Sequence, residues 1–504
     1  MDVETGHRRR GGWRAGALNV SYDAVVVGSG PNGLAAAIRL AQEGLSVLVA
    51  EANDTIGGGA RSAQVTLPGF MHDLASAVHP MAAGSPFFRT LPLEKYGLSW
   101  VEPESALAHP LDNGTAAVLG RSVRATAAGL GQDQAAYERL MEPLAANWEA
   151  LARELLQPLL HLPRHPLLLA RFGLRAAGSA TALARSWFAD EPARAFLAGL
   201  AAHSFLPLEQ SPAAAYALVL GMMGHAVGWP FPRGGAQSLA NALAACLRAL
   251  GGELTTQARV ENIDQLPLAR AVLLDLTPRQ VLPVAGHKLP ASYLGRLGRF
   301  RYGPGVFKID YAMDWPIPWK AAACARAGTV HLGGTLEEIA ASERDTALGK
   351  PPERPFTILS QPSLFDASRA PQGCHVAWAY CHVPNGSVFD MTERIESQIE
   401  RFAPGFRDRI LARRTTNCQE LERQNANLAG GDVNGGAGDW RQLLARPVLS
   451  PTPYRTPTPG IYLCSASTPP GGGVHGMCGF HAAEAALGDL RRKNFHLPLP
   501  RSTV

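Results

Sequence analysis

The sequence predicts an α/β fold in which a three-layer domain with a parallel sheet is assembled from separated stretches of chain. A second, α+β domain is built from the inserts between those stretches. Three observations point there. Residues 21–50 read strand, turn, helix, strand; α/β character returns after residue 230; and a strand, a glycine-rich turn and a helix occupy 460–490. A chain of 504 residues also exceeds what one compact core usually organises.

In the first stretch, Asp23-Ala24-Val25-Val26-Val27 is short and β-rich, SGPNG is a turn, and LAAAIRLAQEG has helical apolar spacing that stops at Gly44. Ser46-Val47-Leu48-Val49-Ala50 supplies a second strand. A strand, a crossover helix and a strand make a βαβ unit, which requires a parallel sheet. From about Thr66 to Trp229 the pattern changes, first to strand-like pieces up to about Val118 and then to Ala/Leu-rich helix such as QAAYERLMEPLAANWEALARELLQPLL. Over 234–276, GGAQSLANALAACLRALGG reads as helix, and ELTTQARVENI and ARAVLLDL read as strands. Residues 300–445 read as Pro-interrupted α+β, and no internal repeat is visible. The expected first domain is therefore 21–65, 230–290 and 448–492, and the second is 66–229 with 291–447. A disordered basic leader (1–20) and a tail (493–504) flank them.

Composition is that of a globular enzyme, 46% hydrophobic and 18% charged. The net charge of +5 is small, and Arg8, Arg9, Arg10 and Arg14 in the leader supply part of it. Without a basic stripe elsewhere, no nucleic-acid partner is expected. The leader has no apolar segment before Tyr22, so it does not read as a secretory signal, and a cytoplasmic location is expected. The seven cysteines are scattered without C-x-x-C spacing, which indicates neither a metal site nor a dithiol centre. Gln210 to Pro232 contains no charged residue, but Pro212, Pro230 and His225 interrupt it. It is expected to be a buried helix or the wall of an apolar pocket, with peripheral contact to a bilayer left open. No signal of oligomeric state is present.

The chemistry begins at Gly28-Ser29-Gly30-Pro31-Asn32-Gly33, between the first strand and its helix, with Glu51 closing the second strand. Gly28 permits the tight turn, Gly30 lets backbone approach a pyrophosphate, and Gly33 lets helix and strand pack closely. The helix N-terminus attracts phosphates, and Glu51 is placed to accept hydrogen bonds from ribose hydroxyls. A dinucleotide site follows. Gly57-Gly58-Gly59-Ala60-Arg61 then brings a second glycine turn and a cation beyond the ribose-binding acid, which suits FAD and has no general use in nicotinamide units. The run from Gly460 to Gly479 reads as a turn whose backbone amides approach the flavin ring and ribityl chain. Although Gly471 to Gly476 also fits G-x-G-x-x-G, no second strand with a terminal acid follows it.

GSGPNGL, E-x5-GGGAR, FPRGGAQSLANAL and GIYLCSASTPPGGGVHGMCG together resemble the phytoene desaturase-like flavoprotein superfamily. Within it, the likeness is to the branch of pyridine nucleotide-disulfide oxidoreductase domain-containing proteins. The resemblance spans Tyr22 to about Leu490, although the missing C-x-x-C argues against dithiol chemistry. It implies a FAD-binding Rossmann-like domain in which Gly28, Gly30, Asn32, Gly33, Glu51, Gly57, Gly58 and Arg61 hold the cofactor. It further implies that Val260, at a strand end, meets the adenine, and that Ser467, Gly473, Val474 and His475 lie along the ribityl chain and ring. Cys464-Ser465 stands where many relatives have Gly or Asp.

The expected activity is that of a FAD-dependent oxidoreductase taking a hydride from a hydrophobic or amphipathic small molecule, with reoxidation by oxygen or a quinone. The alternatives are a carotenoid desaturase, ketolase or isomerase; an amine oxidase, which would require an aromatic, acid-containing pocket; and a non-catalytic flavin-binding scaffold. Candidate catalytic groups are His79, His225 and His475, all at junctions between the cofactor segments and the inserts. Lys308 joins them by analogy with the flavin-facing lysine of amine oxidases. Trp229, Trp315 and Trp319 read as core or pocket wall, and Asp432 as part of an ordered loop.

Overall fold

The computed structural model describes residues 21–492, so the expected leader and tail lie outside the described residues. In chain order, the strands of the two large sheets are β1 (Ser21–Val27), β2 (Val47–Ala50), β3 (Ser105–Pro110), β4 (Ala116–Leu119), β5 (Glu253–Thr255) and β6 (Leu268–Leu274). They continue with β7 (Gly305–Met313), β8 (Ala327–Leu332), β9 (Thr357–Ser360), β10 (His375–Val383), β11 (Ile410–Thr416) and β12 (Ile461–Leu463). The helices that position the site are α1 (Pro31–Ala41), α2 (Pro166–Ala176), α3 (Ala213–Ala226), α4 (Gln237–Ala249), α5 (Ala291–Leu297) and α6 (Met477–Arg492).

The first sheet has the order β12-β6-β1-β2-β5 and is parallel throughout, so strands from all three α/β segments meet in it. Side chains alternate across a strand, and β1 uses both faces. Ala24 and Val26 pack with Leu34 and Ile38 of α1, Leu243 of α4 and Leu487 of α6. Val25 and Val27 pack with Val281, Tyr293 and Leu297 on the opposite side. These are the three layers. Tyr293 and Leu297 belong to α5, so that helix packs on the nucleotide-binding sheet although the boundary read at residue 290 assigned it to the insert.

ELTTQARVENI forms a strand only over Glu253–Thr255. Gln257 adopts a φ of 54°, which turns the chain, and the Ala258 N–H then bonds the Glu51 carbonyl at 2.8 Å. Val260 therefore sits in the loop beyond a strand, not at its end.

The second sheet runs β11-β7-β10-β9-β8-β3-β4, antiparallel except for the parallel pair β8–β3. β7 lies inside this sheet with all nine of its residues buried, Lys308 and Asp310 included. The charge-free run 210–232 folds into α3 and the turn after it, and its residues from 211 on are buried or half-buried. Among the described residues no helix is long and apolar enough to cross a membrane.

Candidate active site

The turn after β1 is built around its glycines. Gly28 has a φ of 104°, and a Cβ on Gly33 would lie 2.1 Å from the Gly28 carbonyl oxygen, so helix and strand approach only because that atom is missing. A Cβ on Gly30 would lie 2.8 Å from Asp275 Oδ2. Gly30 caps α1 with no side-chain hydrogen bond, which leaves the helix N-terminus open to an anion. Glu51 is buried, with Oε2 accepting from the Ser29 N–H and hydroxyl and Oε1 from the Asn53 N–H and side-chain amide. These four donors fix the orientation of the Glu51 carboxylate beside the turn.

A single cavity of about 720 Å³ runs from this turn into the interior of the second domain. Gly28, Gly30, Asn32, Glu51, Gly58 and Val260 line it, as do Ser467, Gly473, Val474 and His475 from the C-terminal turn. Head and tail of the chain thus face one space. Gly33 sits behind the wall in its packing role, its N–H bonded to Asp275 Oδ2 at 3.0 Å. Gly57 and Arg61 also stay outside the wall. The Gly57 N–H bonds the Ser29 carbonyl at 3.1 Å. The Arg61 guanidinium donates to the carbonyls of Gly58 and Gln424 at 2.9 and 2.8 Å, clamping the second glycine turn from behind.

The candidate catalytic groups separate. His225 does not line the cavity: its Nδ1 bonds the Gly120 carbonyl and its Nε2 the Tyr137 hydroxyl, both at 2.8 Å. Both ring nitrogens are satisfied far from the cofactor turns, which makes it a structural residue. His475 lines the cavity and is fully buried. Its Nδ1 accepts the Met477 N–H at 3.0 Å, so the ring proton belongs on Nε2, and that N–H has no acceptor among the described residues. Burial holds its pKa down at about 4. His475 is accordingly a neutral hydrogen-bond donor in the turn that borders the cofactor space. His79 is its complement. Ser76 Oγ can give its proton to the Gly59 carbonyl while bonding His79 Nε2 at 3.0 Å, which leaves His79 Nδ1 as an unpartnered acceptor. Burial pushes the His79 pKa to about 4. Lys308 reaches the cavity wall, and its ammonium is paired with Asp310 two positions along the same strand face.

Several site residues escaped sequence reasoning. Asp275, in the stretch LLDL, directly follows β6 at the carboxyl edge of the sheet, a position that is itself a signal for function in parallel sheets. Burial raises its pKa to about 7. The Thr277 hydroxyl joins Ser467 Oγ at 2.9 Å, and the Asn427 amide donates to the Asp275 carbonyl at 2.7 Å. Arg446 is buried at the cavity wall, and its guanidinium donates to the carbonyls of Asn434, Gly435 and Ala466 with no carboxylate partner among the described residues. Asp432 accepts the N–H groups of Gly303, Asn434 and Gly436, which makes it the organiser of its loop.

The model of the family described as flavin containing amine oxidoreductase matches residues 32–287, just over half of the chain. The chain belongs to that family. Pyridine nucleotide-disulfide oxidoreductase domain-containing protein 2 of Rattus norvegicus is 30% identical, with 94% of this chain and 95% of that protein covered. A phytoene dehydrogenase of Streptomyces griseus is 26% identical, covering 79% of this chain and 78% of the relative. An oxidoreductase of Methanosarcina mazei has the same fold, with a TM-score of 0.63 at 18% identity over 93% of this chain and 100% of the other. This family member is a FAD-dependent oxidoreductase. The residues present fit the cofactor. The uncapped N-terminus of α1 would take the pyrophosphate, and Glu51 at the end of β2 would stand beside the adenosine ribose. When bound, FAD supplies the two-electron acceptor for a substrate C–H bond.

Proposed function

We propose that this oxidoreductase dehydrogenates a neutral, largely apolar small molecule. The observation that carries this reading is the absence of acid from the substrate part of the cavity. Glu51 and Asp275 are the only carboxylates that line the cavity among the described residues, and both stand at the nucleotide turn. Away from that turn the wall is largely aliphatic and aromatic, with Val219, Leu220, Trp229, Ile358, Trp378 and Tyr380, and its charged members there, Lys308 and Arg446, are cations. The rings of Trp378 and Tyr380 stack with centroids 5.7 Å apart. An ammonium substrate would be desolvated there without a counter-ion, at a cost of several kcal/mol. A hydrocarbon or isoprenoid-like chain loses nothing. The relative named as a phytoene dehydrogenase supports the same substrate class.

The protein's own part is binding, orientation and exclusion of water. Aromatic walls hold a C–H bond against the cofactor at a separation of about 3–3.5 Å. Burial keeps His79 and His475 uncharged near pH 7, and pushes His203, another lining residue, to about 3. None is a strong base, which suits a substrate whose carbon sits beside a π-system: once the hydride leaves, the adjacent C–H is acidic and a weak base or water takes the proton. The Lys308–Asp310 pair brings no net charge to the site.

Anaerobic mixing of the FAD-loaded protein with neutral polyenes or isoprenoids should bleach the flavin absorption near 450 nm in ~1:1 stoichiometry, while primary amines leave it unchanged. Bleaching by amines alone would overturn the reading, and bleaching by neither class would favour a non-catalytic scaffold.

A further inference from the structure

From Leu155 to Ala189 the chain contains no aspartate or glutamate, yet it carries Arg164, Arg171, Arg175 and Arg185 among many leucines. Leu160, Leu162, Leu167 and Leu174 are 61%, 92%, 77% and 87% exposed, far beyond what scattered surface leucines require. The loop that presents the first two is held in shape. The buried Glu154 carboxylate accepts the N–H groups of Arg164 and His165 at 2.9 and 3.0 Å and the His161 imidazole at 2.7 Å, which closes the segment into a fixed projection.

α2 has two apolar faces. Leu169, Phe172, Gly173 and Ala176, at i, i+3, i+4 and i+7, line the cavity, while Leu167, Arg171 and Leu174 face outward. Leu159, Ala177 and Trp440 line the same cavity and are exposed, so this is a rim of it. A small groove lined by Pro158, Leu160, Leu444 and Ser450 joins the loop to the exposed Leu444, and the exposed Leu449 precedes Ser450 in the chain. The other exposed lining residues are Arg259 and Arg423, which lie with Val260 and Asn425 at the nucleotide side, and Gly473 of the C-terminal turn.

We infer that the face formed by residues 157–174 and 440–449 docks on an anionic lipid surface, so that the apolar mouth opens against the bilayer. The inference deepens the proposed function and rests on its apolar substrate class. The occupant is argued from two features. Arg164 and Arg171 have no ion-pair partner among the described residues and stand between the exposed leucines, a pattern that suits acyl chains below and anionic headgroups beside them. The patch also surrounds a cavity mouth, which a second protein would seal and a bilayer would supply with substrate.

The test is co-sedimentation of the FAD-loaded full chain with vesicles of phosphatidylcholine, alone or with phosphatidylglycerol. The native protein should pellet with the mixed vesicles, and less so in pure phosphatidylcholine or at high salt. The triple variant Leu162→Glu/Leu167→Glu/Leu174→Glu should lose at least about tenfold in binding with its flavin spectrum and Tm unchanged. Arg164→Gln/Arg171→Gln should lose only the preference for anionic vesicles. Native protein that stays in the supernatant with every vesicle, a triple variant that binds like the native protein, or a native dimer that the triple variant turns into a monomer would each overturn the inference. Flavin content and bleaching by substrate in detergent are read on the same samples, so failure of docking is distinguishable from failure of the redox reading.

Discussion

Asp275 Oδ2 accepts the Gly33 N–H at 3.0 Å, joining the first turn of α1 to the end of β6 across 242 residues of sequence. The same oxygen lies within 3.0 Å of where a Cβ on Gly30 or Gly33 would stand, so the acid and the glycines form one tightly packed unit. Burial raises its pKa from 3.8 to about 7, with the charge of Glu51 adding to the shift. A carboxyl whose folded pKa is raised contributes stability that is full below the unfolded value near 4 and is lost as pH rises through about 7. Asp275→Asn keeps an acceptor for Gly33 without the charge. The stability of Asp275→Asn relative to native apoprotein, measured by urea unfolding, should be near zero at pH 4. It should grow to on the order of 3–4 kcal/mol in favour of the variant above pH 8. A difference independent of pH would refute this.

His475 has a buried Nε2–H without an acceptor among the described residues. His475→Ala should weaken FAD binding by about tenfold, the value of one hydrogen bond from a buried donor, and shift the visible flavin spectrum. His475→Gln, which can present an N–H, should restore part of both. Fluorescence titration of the apoprotein with FAD checks this.

His225 bridges Gly120 and Tyr137 and does not reach the cavity. His225→Phe should cost about 1–3 kcal/mol of stability through the polar atoms left unpaired. The rate of flavin reduction per bound FAD should not change. Thermal unfolding with stopped-flow reduction separates the two effects.

Lys308 and Asp310 are both inside β7. Lys308→Met leaves a buried carboxylate unpaired and should destabilise the protein by about 3–5 kcal/mol, whereas Lys308→Met/Asp310→Leu should recover most of the loss. A double variant as unstable as the single one would contradict the pairing.

Much of this was legible in the sequence because it is local. A tight turn between strand and helix admits few residue types, so GSGPNG and Glu51 announced one half of the site, and the glycine run at 471–476 announced the other. What lay hidden depends on register between distant segments. Arg61 and His225 have the chemistry of site residues, but their neighbours in space, Gln424 for one and Tyr137 with Gly120 for the other, consume their hydrogen bonds. Asp275 reads as an ordinary acid after a strand until β6 pairs with β1 and buries it beside the first glycine turn. The uncharged run 210–232, expected as a buried helix or the wall of an apolar pocket, lines the cavity as its apolar composition indicated. The exposed leucines lie in 159–174, where the interspersed arginines break up any long apolar window.

The most direct measurement is titration of apoprotein with FAD, followed by absorbance and fluorescence quenching. Native chain should take up one FAD, whereas Glu51→Ala at the head and Gly473→Val at the tail should each weaken uptake by at least about tenfold while the apoprotein stays folded. Native protein that remains colourless, or FAD uptake unaffected by Gly473→Val, would contradict a cofactor enclosed by both ends of the chain.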